Sequence, residues 1–256
     1  MLFSWLKRRR RRKLLATPFP DAWRPFLERL PFYATLSEDE AARLRELLRV
    51  IVAEKNWQGC GGLTMTDEIK VTVSASAALL LLNLEHNYYR RLQSILIYPS
   101  TIVTDSRQRV GGLLTVGRQP VLGLAFLRGP VVFAWDSVVQ GLQNPGDGRN
   151  VVLHEFAHKL DMLDGLADGT PQLERKEHYE EWVRVMTEEF EGLVEADTQG
   201  RRTVLDKYGA TNPAEFFAVA TECFFEKSRT LRRKVPELYG VLQSFYQQDP
   251  AERGRT

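Results

Sequence analysis

The run Val151-Val152-Leu153-His154-Glu155-Phe156-Ala157-His158-Lys159-Leu160-Asp161 constrains this chain more than any other stretch. Its apolar residues fall on nearly every side of a helical wheel, so the helix it predicts is buried. A buried helix cannot carry two imidazoles and a carboxylate without partners for them. Histidines four apart stand one above the other on one helical face, and both can reach a single tetrahedral zinc through bonds of about 2.0–2.1 Å. Glu155, one residue round, is off that ligand position but beside the open side of such a site. There a carboxylate can take the proton of a water whose pKa the metal has lowered to about 7. The pattern is H-E-x-x-H, and its bland alternative is a pair of core histidines bonded to backbone.

The 256 residues, 43% of them hydrophobic, can bury one large core or two modest ones. The longest apolar candidate, Ala77–Leu82, is broken by Asn83 and Glu85 and falls short of the roughly 18 residues a membrane span needs. Cys60 and Cys223 are too few and too far apart for a disulfide framework or a cysteine-rich zinc site. With no cleavable leader, the expectation is a reducing cytoplasm. The formal net charge is +2, and setting aside the seven cations Lys7, Arg8 to Arg12 and Lys13 leaves −5, which argues against nucleic-acid binding by the folded body. Residues 1–16 are expected to form a solvated, disordered tail, because like charges repel and contribute no core. A sharper reading gives that tail a weak contact with an anionic membrane, helped by Phe3 and Trp5.

Residues 17–256 then form the body, helical to about residue 92 and catalytic from about 93. Pro18, Pro20, Pro25 and Pro31 punctuate its first segment. Ser37-Glu38-Asp39-Glu40 reads as a capping box opening a helix through Arg49, with Leu44, Leu47 and Leu48 inward. A short strand and glycine turn are expected over Lys55–Gly62, and a second helix from Thr66 through Leu84. Ser94–Pro99 and Gly129–Trp135 have the bounded, β-rich look of strands. Val131, Val132, Phe133, Ala134 and Trp135 are the candidate edge strand for main-chain pairing with an extended substrate; a core strand is the plain alternative.

Two histidines need a third ligand. A metzincin continuation requires glycine three residues after the second histidine and another histidine three further on, but Asp161 and Asp164 hold those places. If the helix continues, Asp164 rotates about 120° away from His158. Asp161 stays on the histidine face and is better cast as a group behind the ligands. His178 sits in a charged helical pattern over Glu174–Glu191, and His86 has no ligand spacing. Asp206–Glu222 remains, with Asn212 suited to a helix N-cap and Pro213 to the first helical position. Glu215 would then either close a capping box or, as a carboxylate on a stripe facing the core, seek a metal. Glu222, two turns on, either orients a histidine or is a solvated or ion-paired glutamate.

Taken together, His154-Glu155-Phe156-Ala157-His158-Lys159-Leu160-Asp161, Asn212-Pro213-Ala214-Glu215-Phe216-Phe217-Ala218-Val219, Ile97-Tyr98-Pro99 and Phe245-Tyr246-Gln247-Gln248-Asp249-Pro250 resemble the Mlc titration factor A family of bacteria, over roughly Phe19 to Pro250. The resemblance implies an α+β, zincin-like metallopeptidase domain, mainly helical, with a small mixed sheet beside the active-site helix. It implies a gluzincin-type peptidase similar to the catalytic domain of anthrax lethal factor, with one zinc per chain. His154, His158 and Glu215 match the zinc ligands, Glu155 the general base, and Tyr208 the tyrosine seven residues before the ligating glutamate; on sequence alone Tyr208 is equally a core aromatic. A transcriptional repressor of sugar uptake is the implied protein partner, and a peptide the substrate, with aminopeptidase action among the options. The basic Lys7–Lys13 run has no counterpart in that pattern. The alternative is a non-catalytic module that sequesters a regulator and carries a regulatory zinc site. Glu155 favours the enzyme, since a structural zinc fills its fourth position with protein and needs no free carboxylate alongside.

Overall fold

Polar caps at Ser37 and Thr66 set two helices of the first part. The computed structural model describes residues 2–84, 89–110, 113–127, 129–173 and 177–254; His86 and the first three residues of the 174–191 pattern fall outside them. The chain opens with α1 (Leu2–Leu15), a 3-10 turn at Asp21–Trp23 and the short α2 (Arg24–Glu28). In α3 (Glu38–Glu54) the Ser37 hydroxyl accepts from the Glu40 N–H while the Glu40 carboxylate accepts from the Ser37 N–H, the reciprocal box expected from sequence. The helix runs past Arg49 because Val50 and Ile51 continue its buried stripe. Then come β1 (Asn56–Gly59) and α4 (Asp67–Leu80), whose N-cap is Thr66.

The second part supplies β2 (Ser94–Tyr98), a hairpin of β3 (Ile102–Val110) and β4 (Leu113–Val121), β5 (Gly123–Ala125), β6 (Val131–Ala134), α5 (Trp135–Gln143) and α6 (Val151–Asp161). After it come α7 (Glu177–Thr198), a 3-10 turn at Lys207–Ala210, α8 (Pro213–Glu226), α9 (Ser228–Lys234) and α10 (Pro236–Tyr246). The architecture is α+β, mainly helical, with one small mixed sheet in the order β1-β2-β6-β5. β1, β2 and β6 run parallel, and β5 is antiparallel to β6. α6 lies beneath this sheet and against α4 and α8. Phe156 of α6 packs on Tyr89 and Phe133, with ring centroids 4.7 and 6.1 Å away, while α8 buries Phe216, Phe217 and Phe224. No described helix is long and apolar enough to cross a membrane.

Two expectations are corrected. Val131, Val132, Phe133 and Ala134 do not form an edge: β6 has β2 on one side and β5 on the other, all four residues are buried, and Trp135 already begins α5. An unbroken apolar run marks a strand covered on both faces, and its main-chain groups are spent in the sheet. The outer strand here is β5.

Nor is the N-terminal segment a disordered tail. Lys7 and Arg11, one turn apart, both reach Glu54 of α3, at 3.0 Å and at 2.6 and 2.8 Å. Arg49 of α3 donates to the Leu14 carbonyl and, at 2.6 Å, to the Thr17 hydroxyl, closing the C-terminal end of α1. The body thus provides a carboxylate that relieves part of the self-repulsion. Deleting residues 1–16 should lower unfolding free energy by about 1–3 kcal/mol, because Glu54 loses Lys7 and Arg11 and Arg49 loses the Leu14 carbonyl. An unchanged urea midpoint would count against the docking.

Candidate metal centre

The site is made by two helix starts. The Asn150 side chain accepts from the Val152 and Leu153 N–H groups at 3.1 and 3.2 Å, fixing where α6 begins and therefore which way His154 and His158 face. At α8, Asn212 accepts the Glu215 N–H at 3.0 Å and Pro213 takes the first helical position. That cap satisfies the Glu215 backbone and leaves its side chain directed at the histidines.

Three donor atoms converge. His154 Nε2 lies 2.9 Å from Glu215 Oε2 and 3.2 Å from His158 Nε2, and His158 Nε2 is 3.4 Å from Glu215 Oε2. A tetrahedral centre with bonds of about 2.0–2.1 Å has edges of about 3.3 Å, so the spacing fits a zinc-sized ion. The tautomer fits as well. His154 Nδ1–H donates to Glu222 Oε1 at 2.7 Å, which in the neutral ring leaves Nε2 as a lone pair aimed at the other two donors. Glu222 also accepts the Asn150 backbone N–H through its second oxygen, so one carboxylate holds both His154 and the start of its helix.

Electrostatics follow from this clustering. Burial lowers the basicity of His154, but hydrogen bonds to Glu215 and Glu222 outweigh it and lift the imidazole to about 10 without a metal; a cation at Nε2 would take the proton's place. Burial tends to raise Glu215, yet bonds from His154 and His158 hold it down at about 2, a carboxylate ready to ligate. Burial raises Glu222 despite its bond to His154.

Glu155 is only 6% exposed and makes no hydrogen bond to any described residue. Burial pushes its carboxyl up to about 7, against the pull of His154 and His158. The reason for its enclosure is β5: a Cβ at Gly123 would stand 2.6 Å from Glu155 Oε1, so only glycine lets this strand pass so close. Tyr208, on the 3-10 turn before α8, is 55% exposed with its ring centroid 6.0 Å from that of His154, which excludes the core-aromatic reading. Partial burial and the Glu215 and Glu155 carboxylates push its phenol up to about 12, so it stays a proton donor.

Asp161, expected to stand behind the ligands, makes no hydrogen bond to either histidine among the described residues. It is fully buried, and its Oδ2 accepts the Gly169 N–H at 3.0 Å, while its Oδ1 and His158 Nδ1 are both buried with no hydrogen-bond partner among the described residues. Gly169 in turn lies so close to Pro213 that a Cβ would come within 2.4 Å of the Pro213 carbonyl oxygen. Asp161 therefore ties the end of α6 to the start of α8. Sequence reasoning passed over Lys159, whose ammonium donates to the Phe126 carbonyl and, at 3.3 Å, to that of Gly129, pinning the turn between β5 and β6. The signal was available: a lysine on an otherwise apolar helix needs acceptors. β5 itself, three residues long, left no periodic trace.

Metallopeptidases build their sites from these parts, and comparison with known sequences agrees on the class. Residues 5–247 match the family described as "Glucose-regulated metallo-peptidase M90", and the chain belongs to that family. The match takes in the basic run that the sequence pattern left outside. An uncharacterized protein of Synechocystis sp. is 37% identical over 244 residues, covering 94% of this chain and 89% of that protein. Proteins named Mlc titration factor A are 32% identical in Edwardsiella ictaluri, over 92% of this chain and 89% of theirs, and 32% identical in Serratia proteamaculans, over 88% and 86%.

Proposed function

We propose that this chain is a zincin-type, zinc-dependent peptidase of the gluzincin kind, with His154, His158 and Glu215 holding one zinc per chain. The observation that carries the proposal is Glu155, a buried carboxylate with no hydrogen bond among the described residues, enclosed beside the histidine–glutamate triad. A bound zinc would polarise the scissile carbonyl and acidify a water. Glu155 accepts the proton of the attacking water and passes it to the leaving amine. The Tyr208 hydroxyl donates to the oxyanion that develops on the carbonyl oxygen. Glu222 keeps His154 in the ligating tautomer. The outer edge of β5, unpaired among the described residues, offers main-chain pairing to an extended peptide, the role first assigned to β6. Chain-end cleavage of the aminopeptidase kind is the form to test first. Cys60 and Cys223 are free thiols, which suits the cytoplasmic location we propose.

Elemental analysis of the purified protein, with cleavage of a mixed peptide library before and after chelation, tests the reading; a metal-free protein or chelation-insensitive cleavage would end it. Within it, Tyr208→Phe should lower kcat about 10²–10³-fold with little change in KM, since an oxyanion donor acts in the transition state. A raised KM at constant kcat would make Tyr208 a substrate-binding residue instead.

The name Mlc titration factor A says that those relatives titrate Mlc. On that ground we propose binding of a transcriptional repressor beside hydrolysis and not in its place, because sequestration alone leaves Glu155 without a use. A variant unable to hydrolyse but still able to bind the repressor would separate the two activities.

A further inference from the structure

We propose that α1 is a peripheral docking element for an anionic lipid surface. The inference stands apart from the hydrolytic reading and rests on how α1 is divided. Lys7, Arg11 and Leu14 lie on the side turned to α3, where Glu54 and Arg49 engage them. The opposite side carries Arg8, Arg9, Arg12 and Lys13, all exposed and paired with no carboxylate among the described residues, with Arg10 at its margin. At the N-terminal end of that same side, Trp5 and Leu6 are each 48% exposed, and the Arg9 guanidinium sits 5.6 Å from the Trp5 ring centroid. Fourteen residues make a rod of about 21 Å, held along the body by its inner face and offering cations and two apolar side chains outward.

That combination selects the partner. Cations on one face answer lipid phosphates and carboxylates, and an indole and a leucine among them enter the interfacial zone of a bilayer. A nucleic-acid backbone would use the cations but give Leu6 nothing. The remainder of the chain has a net charge of −5, so the outward cations of α1 stand on a body of opposite net sign. α1 packs on α3, α3 on α4 and α4 on α6, so two helices separate the outward cations from the metal helix. They can be altered without touching the site.

The test is co-sedimentation of the full chain with vesicles of phosphatidylserine in phosphatidylcholine, against phosphatidylcholine alone, at low salt. Binding to the anionic vesicles only is expected, and its loss near 1 M salt, where charges are screened within about 3 Å. Each outward cation should contribute about fivefold, so a combined Arg8→Gln, Arg9→Gln, Arg12→Gln variant should bind roughly 100-fold more weakly. Its unfolding midpoint should match the parent, since none of the three touches the body. Trp5→Ser with Leu6→Ser, cations intact, should also weaken vesicle binding. Equal binding to neutral vesicles, no binding to anionic ones, or full binding by the triple variant would each overturn the proposal. Displacement of the protein from vesicles by duplex DNA at equal phosphate concentration would reassign the surface to nucleic acid.

Discussion

Glu155→Gln is expected to keep the metal and lose the reaction, with hydrolysis falling about 10²–10⁴-fold, the usual contribution of a positioned base. The amide is nearly isosteric, and among the described residues Glu155 makes no hydrogen bond that the change would break. The close passage of β5 at Gly123 is equally compatible with either side chain. What disappears is the proton acceptor, whose burial has lifted it to about 7, near the pH at which a general base works best. Metal content and unfolding midpoint should match the parent. Peptide cleavage at parental rates would show that the water loses its proton elsewhere, and the hydrolase assignment would fall with it.

Glu215→Ala should abolish zinc binding at concentrations where the parent is saturated. Losing an outer partner of a ligating histidine typically costs 10–100-fold in metal affinity. Removing a ligand outright should exceed that, because His154 and His158 alone leave two coordination positions open. Metal titration in competition with a chelator gives the direct measure, and stability gives a second. Zinc at a hundred times its dissociation constant should stabilise the parent by about 2.7 kcal/mol and the variant by nothing. Stoichiometric zinc in the variant would hand the third position to another carboxylate. Asp161 would be poorly placed for it, since its Oδ2 is engaged by the Gly169 N–H.

The sequence announced the parts whose chemistry is local. His154, Glu155 and His158 are bound by helical spacing, and the Ser37–Glu40 and Asn212–Pro213 caps are read within four residues. Glu215 was reached by elimination and then by resemblance, because nothing local tells a capping glutamate from one that crosses to another helix. Strand order was hidden for a related reason: Val131–Ala134 looks the same whether β5 lies beyond it or not, and β5 is too short to show alternation. The docking of α1 was missed because repulsion within Arg8–Arg12 is visible in the sequence, whereas Glu54, more than forty residues away, is not visible as its counter-charge.

His154 and Glu215 are 61 positions apart in the chain, and Glu222 is 68 from the histidine it orients. During synthesis the segment bearing both histidines leaves the ribosome well before α8 exists, and at roughly 5–20 residues per second that interval lasts several seconds. A nascent chain therefore carries two of the three converging donors, and Glu155 beside them, before the third is made. The three donors come together only when α8 packs on α6. If the chain is the peptidase proposed above, the wide separation of these three residues works as a timer, leaving hydrolysis to begin only after α6 and α8 have met.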